Sequence, residues 1–418
     1  MIFNLRKIFR NLNIPSVSML LLLAVFLFTP LAQFQRVIYI HGLFFLWLIS
    51  AQMKHRRWLI GSLPIIICII IIAALRFVLS FSVDYSFNHY LAFDLPTELW
   101  AIVFLYYSKN VEEFKGMLPI IFLMIFVTIF LTIRGNILFP GASRYLATGS
   151  DSQWGDDRDV ASSLFVGGYG IIFGLAFLSF PLILFKRFDI VKNRTLFYTY
   201  IVLLLICVVV GSYFTAIILT ATLIVLSNVS VNKIGKAILG LIFFVGLWLL
   251  LKDYVLQFLI DVGNSIDSPM LTRRAEQALY GTYIEDYEGT DASRVERAYN
   301  AINNYLQSPI WGRLAGEIRN KQPSGHSELL GYFEDFGLLG CIYILFYYRI
   351  YFNVINKLNS IIMKRYYSFF FIVFLIFLIV DKFDTATATA SIIFFIAPMM
   401  LLICDKTKYK QKWENSMF

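Results

Sequence analysis

The chain has 418 residues, of which 59% are hydrophobic and only 15% charged, and its mean hydropathy is +0.70. A soluble domain has roughly 45–50% apolar and about 25% charged residues, so this composition excludes an ordinary soluble protein. The four cysteines lie in or beside apolar segments, which argues against a disulfide-rich secreted scaffold.

Apolar stretches of about 20 residues recur along almost the whole chain without period-two alternation, which is typical of membrane-spanning helices. The basic start at Arg6, Lys7 and Arg10 leads into an apolar run without a small-residue cleavage site, so this run is predicted to remain as the first span. The sequence therefore predicts an all-α polytopic membrane protein, a single transmembrane domain over residues 1–418. Its twelve spans are expected at about 14–34, 37–53, 59–81, 91–107, 117–134, 164–185, 195–212, 213–229, 237–258, 336–355, 366–380 and 387–404.

The distribution of Lys and Arg predicts the orientation of these spans. With both termini cytoplasmic, the segments on that side hold 22 of the 36 Lys and Arg but only 5 of the 27 Asp and Glu. Cytoplasmic loops carry the excess of Lys and Arg, so both termini are predicted to be cytoplasmic. The formal net charge of +9 follows from this bias, and it does not indicate nucleic-acid binding.

Two external loops stand out under this topology. The first covers 135–163, and the second, a long helical loop over 259–335, lies between spans 9 and 10. Loops of this length in a compact protein are usually functional or disordered, and the helical pattern of the second favours function.

The long loop contains the pattern of two amphipathic helices. The first begins near Ser268-Pro269 and carries Arg273 and Arg274 beside a narrow apolar stripe. The second begins near Asp291 or Ser293 and ends at Ser308-Pro309. Its apolar residues recur at helical spacing, with two arginines on a flanking face: Val295, Tyr299, Ile302 and Leu306, with Arg294 and Arg297. We expect both helices to lie at the membrane interface, and simple peripheral packing is the alternative.

Arginine is enriched on the predicted outer face, where 11 of the 14 cations are Arg. The guanidinium group binds phosphate or carboxylate through two parallel hydrogen bonds. The 11 outer arginines, taken together, therefore indicate an anionic ligand. Ion pairing with the acidic residues of the same face is the alternative for any single arginine.

The end of the long loop resembles the signature region of the O-antigen ligase and polymerase superfamily. In that pattern an arginine and an amphipathic helix precede Pro-hydrophobic-x-Gly, then His followed by Asn or Ser, then an acidic residue and Gly-x-x-Gly entering a span. The matching positions here are Arg294, Pro309 to Gly312, His326-Ser327, Asp335, Gly337 and Gly340. The chain departs from the pattern at Asp335, where Glu is usual, and at Ser327, where Asn is common.

The first external loop resembles the polymerase (Wzy-type) branch more than the ligase branch. The segment ASRYLATG, followed by a polar stretch and GGYGIIFGL, carries this similarity. The resemblance would make Arg144 a functional position.

The resemblance implies a GT-C-like, inverting glycosyltransferase of the bacterial cytoplasmic (inner) membrane. Its donor and acceptor would be glycans on undecaprenyl diphosphate, with a chain-length regulator and a flippase as candidate partners besides membrane lipid. Arg294 and Arg144 would bind the diphosphate, with Arg273, Arg274 and Arg297 as helpers. His326 would be the general base, or a positioning group, and Glu328 the second candidate base. Asp335 is a further substrate-binding candidate, and neither a metal nor another cofactor is expected, because arginine can neutralise the diphosphate.

Two other functions stay open at the level of the sequence. An O-antigen ligase would transfer the glycan to lipid A core. A twelve-span transporter, such as a flippase for lipid-linked oligosaccharides, would place ionisable residues at mid-membrane and show repeated halves. The charges within the predicted spans are few and the halves look dissimilar, which favours the enzyme.

Overall fold

A computed structural model gives the architecture. It describes residues 13–34, 37–56, 58–82, 87–146, 155–191, 193–211, 213–229, 253–265, 291–315, 327–380 and 387–415, with 272 and 276. The described part of the chain is helical and contains no strand.

Among the described residues before the long loop, nine helices have nine or more residues. They are α1 (Ile14–Leu27), α2 (Val37–Lys54), α3 (Leu63–Ser82), α4 (Leu95–Lys109), α5 (Val111–Leu138), α6 (Gly155–Ser163), α7 (Tyr169–Arg187), α8 (Arg194–Val210) and α9 (Phe214–Asn228). A helical segment covers 253–265. The loop and the remaining spans contribute α10 (Asp291–Gln307), α11 (Glu328–Phe336), α12 (Cys341–Lys357), α13 (Ile361–Val380) and α14 (Thr387–Asn415).

Within the described part of the chain, six stretches are long and apolar enough to cross a membrane: Val37–Lys54, Ile60–Phe81, Val111–Leu138, Tyr169–Arg187, Glu328–Lys357 and Ile361–Ile379. Four shorter apolar helices accompany them, at Ile14–Leu27, Arg194–Val210, Thr215–Asn228 and Ala388–Cys404. The structure therefore agrees with an all-α membrane protein. The number twelve stays a prediction, and most of the ninth expected span, 237–258, lies outside the described residues.

Helix α7 lies at the centre of the bundle, because 78% of the residues in its apolar stretch are buried. Its phenylalanines form edge-on contacts with those of α13, with Phe177 and Phe377 at 5.2 Å between ring centroids. The small residues of α7 also allow α14 to approach closely, since Thr389 donates a hydrogen bond to the Gly170 carbonyl at 2.8 Å. Small residues at a helix contact are typical of helices packed within a membrane.

The segments that the charge distribution assigns to the cytoplasmic side meet one another in the structure. Lys54 and His55 at the end of α2 both pair with Glu113 of α5, and Lys109 donates to the Trp58 carbonyl. Arg187 likewise donates to the carbonyl of Ser227 at the end of α9. These contacts agree with the predicted sidedness of the segments, and the orientation in the membrane itself stays a prediction.

Candidate functional site

The end of the long loop is fixed to the start of α12 by contact between two glycine turns. Gly312 and Gly337 have φ of +58° and +55°, values that L side chains rarely adopt. A Cβ on Gly312 would lie 2.5 Å from the Gly337 nitrogen, and a Cβ on Gly337 would lie 2.5 Å from the Ile310 carbonyl carbon. The Leu338 amide donates to the Pro309 carbonyl at 2.8 Å. The Pro309–Gly312 turn and the Gly337–Gly340 turn thus touch backbone to backbone, and together we call them the glycine junction.

Helices α10 and α11 meet at this junction. Asn304 donates to the Glu334 carboxylate at 2.8 Å, and the rings of Tyr305 and Phe333 lie 5.8 Å apart in an edge-on contact. Helix α11 begins at the N-cap Ser327, whose hydroxyl accepts from the Leu330 amide at 3.2 Å. The end of the arginine-bearing helix α10 is therefore held against the helix that follows His326 in the chain.

Two arginines form ion pairs with one carboxylate beside the junction. Arg76 of α3 lies 2.9 Å from one oxygen of Asp335, and Arg313 lies 3.2 Å from the other. All three side chains are buried, and Asp335 retains 9% of its exposure. Buried charges cost several kcal/mol each unless they are paired, so the three residues stabilise the fold only as a group.

Arg76 is further enclosed by aromatic rings. Its Nε donates to the Tyr343 hydroxyl at 3.0 Å, and its guanidinium carbon lies 5.0 Å from the Phe336 ring centroid. Cation–π contacts of this kind contribute about 0.5–2 kcal/mol when they are shielded from water. Arg76 therefore connects α3 with both α11 and α12.

A narrow polar cleft adjoins Arg76. It is lined by Glu98 of α4 and Glu328 of α11, and Tyr90 donates to Glu98 at 2.9 Å. Both glutamates are buried. The free volume of about 10 Å³ equals the room that a single water molecule needs, so the cleft in this conformation holds no substrate.

Helix α10 extends from Asp291 to Gln307, and the described residues of its apolar stripe face away from the protein. Tyr299, Ile302 and Leu306 are 64%, 45% and 65% exposed, whereas Ala301 and Asn304 are buried. Among the described side chains, α10 packs through Ala301, Asn304 and Tyr305, and its stripe residues stay open. Such a face is typical of a helix that lies in a membrane interface.

The structure brings some of the predicted site residues together and leaves others undescribed. Asp335 and Glu328 lie at the junction and its cleft. Arg294 and Arg297 lie on α10, although the description of the structure does not extend to their side chains. Three predicted residues fall outside the described part of the chain: Arg273, Arg274 and His326.

Arg144 belongs to a different part of the molecule. It lies in a short helical turn, Ala142–Tyr145, with its guanidinium carbon 4.5 Å from the centroid of the Tyr213 ring. Tyr213 donates in turn to the Ser143 carbonyl at 2.8 Å, and the Asn136 amide donates to the Ser143 hydroxyl at 2.8 Å. This turn rests on an apolar cluster of its own that includes Ala142, Tyr145 and Val166.

Sequence reasoning missed Arg313 and Glu98. Arg313 directly follows the Pro-hydrophobic-x-Gly segment, and its adjacency to the motif was an available signal. Glu98 stands in a predicted span, and an acidic residue there is a functional candidate by default. The described residues contain no group of three or more His, Cys, Asp or Glu that could hold a metal ion, and the expectation of metal independence stays a prediction.

Comparison with known proteins does not indicate a function for this chain, so the function proposed for it is argued from its residues. No family model matches the chain, and no curated protein matches it.

Proposed function

We propose that the chain is a glycosyltransferase that polymerises polyprenyl-diphosphate-linked oligosaccharide repeat units on the outer face of the cytoplasmic membrane. The observation that carries the proposal is the glycine junction. Residues that suggested the resemblance only by their order in the sequence, namely Pro309 to Gly312, Asp335 and Gly337, make direct contacts in space. Segments that folded independently of one another would give no such convergence.

The exposed stripe of α10 supports a substrate that stays in the membrane. Transfer of Tyr299, Ile302 and Leu306 from water to lipid lowers the free energy, so α10 would rest at the membrane surface. Arg294 and Arg297 would then lie at the depth of lipid phosphates. A diphosphate attached to a polyprenyl chain occupies that depth as well.

The proposed reaction is a single displacement at the anomeric carbon. The acceptor hydroxyl oxygen forms a bond to this carbon, and the bond from the carbon to the diphosphate oxygen breaks with its electron pair on that oxygen. Arg294 and Arg144, with Arg273, Arg274 and Arg297 as helpers, would stabilise the charge that develops on the leaving diphosphate. His326 would take the proton of the acceptor hydroxyl.

We propose different roles for the two acidic candidates. Both oxygens of Asp335 are engaged by arginines, so we propose that Asp335 positions the junction rather than the substrate. Glu328 lines a cleft with room for one water molecule, and it would act as a base only after that cleft opens.

The proposal is tested by replacing Arg294 or His326 with Ala in cells that depend on this protein. Single repeat units should accumulate on the lipid carrier, as seen by mass spectrometry of extracted lipids. Long polymer that accumulates on the carrier would indicate the ligase instead. Long glycan at wild-type levels in both variants would overturn the site assignment.

Transport of a lipid-linked oligosaccharide is the second candidate, because Arg76 and Glu98 are buried on apolar helices. A flippase variant would leave repeat units on the cytoplasmic leaflet, where an added glycan-binding probe does not reach them in intact spheroplasts. The polymerase proposal instead expects the single units to be accessible from outside.

A further inference from the structure

An apolar groove runs along α2 at the surface of the bundle. Its walls are formed mainly by one face of α2 and by two residues of α4, and its volume is about 780 Å³. This volume falls within the roughly 300–1,000 Å³ of ordinary ligand pockets. The lining residues on α2 run from Val37 to Leu48, and those on α4 are Leu99 and Ile102.

Gly42 creates part of this space. A Cβ at Gly42 would meet no atom within 4 Å, so the helix surface is notched at this position. The residues one turn to either side, Ile38 and Phe45, are large and 75% and 64% exposed. The notch is therefore flanked by apolar side chains that project outward.

The length of the groove corresponds to one leaflet of a bilayer. Val37 and Leu48 are eleven residues apart, which is about 16 Å along a helix at 1.5 Å per residue. Half of a hydrocarbon core of about 30 Å is about 15 Å. One acyl chain of one leaflet therefore matches the groove, whereas a polyprenyl chain of many isoprene units would extend well beyond it.

The polarity of the groove sets the direction in which an acyl chain would lie. His41, one turn from the start of α2, is the polar side chain among the lining residues, and the others are apolar or aromatic apart from Gly42. Its Nδ1 donates to the Val37 carbonyl at 2.8 Å, and its Nε2 is buried without a hydrogen-bond partner among the described residues. The groove thus has a polar end toward Val37 and an apolar end toward Leu48.

We infer that this groove is a binding site for one phospholipid of the surrounding bilayer, with an acyl chain along α2 and the head group at the Val37 end. Contact of the acyl chain with the groove walls, rather than its removal from water, would hold the lipid there, because bilayer and detergent tails are as apolar as the groove. The inference does not depend on the proposed glycosyl transfer.

The experiment compares Gly42→Leu with Gly116→Leu in the purified full-length protein. A Cβ at Gly116, on α5, also meets no atom within 4 Å, so the second variant controls for adding the same side chain at an open helical glycine. After a delipidating detergent wash, lipid extraction and mass spectrometry should find about one phospholipid per wild-type or Gly116→Leu molecule. Gly42→Leu should retain at least fivefold less.

A second measurement keeps the test independent of lipid carried through purification. Phospholipid added back to delipidated protein should raise the thermal unfolding midpoint of the wild type and of Gly116→Leu, but not that of Gly42→Leu. Leu99→Trp fills the groove from α4 and should reproduce the loss if Gly42→Leu fails to fold.

Three results would overturn the inference. One is equal phospholipid retention by Gly42→Leu and wild type. Another is polyprenyl phosphate as the retained lipid. The third is a Gly42→Leu variant that turns a dimer into a monomer with unchanged lipid content, because the groove would then be an interface between copies of the chain.

Discussion

The glycine junction and the turn that carries Arg144 place their arginines in different environments. At the junction, Arg76 and Arg313 are buried and share the carboxylate of Asp335. In the first external loop, Arg144 is half-buried and lies over the ring of Tyr213. A buried ion pair commits its arginines to the fold, whereas Arg144 keeps part of its side chain exposed.

This difference assigns separate tasks to the two regions. We expect substitutions at the junction to act on stability first and on glycan synthesis through it. Substitution of Arg144 should act on synthesis with little change in stability. Unfolding and glycan measurements on substitutions in the two regions test that contrast.

Asp335→Ala should give the largest loss. It leaves the two buried guanidinium groups of Arg76 and Arg313 without their shared carboxylate, which costs about 3–5 kcal/mol. Chemical unfolding in a mild detergent measures this change. Glu112→Ala is the matched control, because the Glu112–Lys115 pair is exposed and such pairs contribute about 0–1 kcal/mol. Equal stability of the two variants would contradict the anchoring role of Asp335.

Gly337→Ala should destabilise by about 3 kcal/mol. The positive φ costs about 1–2 kcal/mol for an L residue, and overpacking against the Ile310 carbonyl adds about 1–3 kcal/mol. Gly331→Ala on α11 is the control, because a Cβ there meets no atom within 4 Å and Ala favours a helix by about 1 kcal/mol. A Gly337→Ala protein that is as stable as Gly331→Ala would show that the two turns do not touch.

Asn304→Ala should have an intermediate effect. It removes the hydrogen bond to the buried Glu334 carboxylate, and bonds to charged groups contribute about 1.5–3 kcal/mol. The loss should appear in the same unfolding measurement. Asn303→Ala, one residue earlier on α10, tests whether the effect belongs to the Glu334 contact or to helix propensity, and equal losses would favour propensity.

Arg144→Ala should change stability by about 1 kcal/mol or less, because Arg144 is half-buried and its contact with the Tyr213 ring is a partly exposed cation–π contact. Carrier-linked glycan longer than one unit should nevertheless fall at least tenfold. Arg144→Lys keeps the charge but loses the planar fork, so it should restore only part of the activity. Full activity of Arg144→Ala would remove this residue from the site.

The sequence predicted those features that local patterns determine. Ser308-Pro309 correctly marked the end of α10, and continuous apolar runs marked the long helices. It also indicated that α10 is amphipathic. The sequence pattern does not determine the direction in which the apolar stripe of α10 faces. That direction depends on the contact of Asn304 with Glu334 on another helix.

The pairing at the junction was equally inaccessible from the sequence. Arg76 and Asp335 are 259 residues apart, and no periodicity links positions at such a separation. Asp335 was identified as a candidate from the motif, yet its partners emerge only when α3 packs against α11 and α12. The glycines of the motif show the same limit, since their close contact is a property of two turns that approach each other in space.

The most direct test of this account measures the fraction of carrier-linked glycan longer than one repeat unit, per folded molecule, in Arg294→Ala and in Asp335→Asn. We predict that Arg294→Ala folds in wild-type amount but makes almost no glycan longer than one unit. Asp335→Asn should lose product only in proportion to its loss of folded protein. Wild-type product per folded molecule in Arg294→Ala would contradict the account.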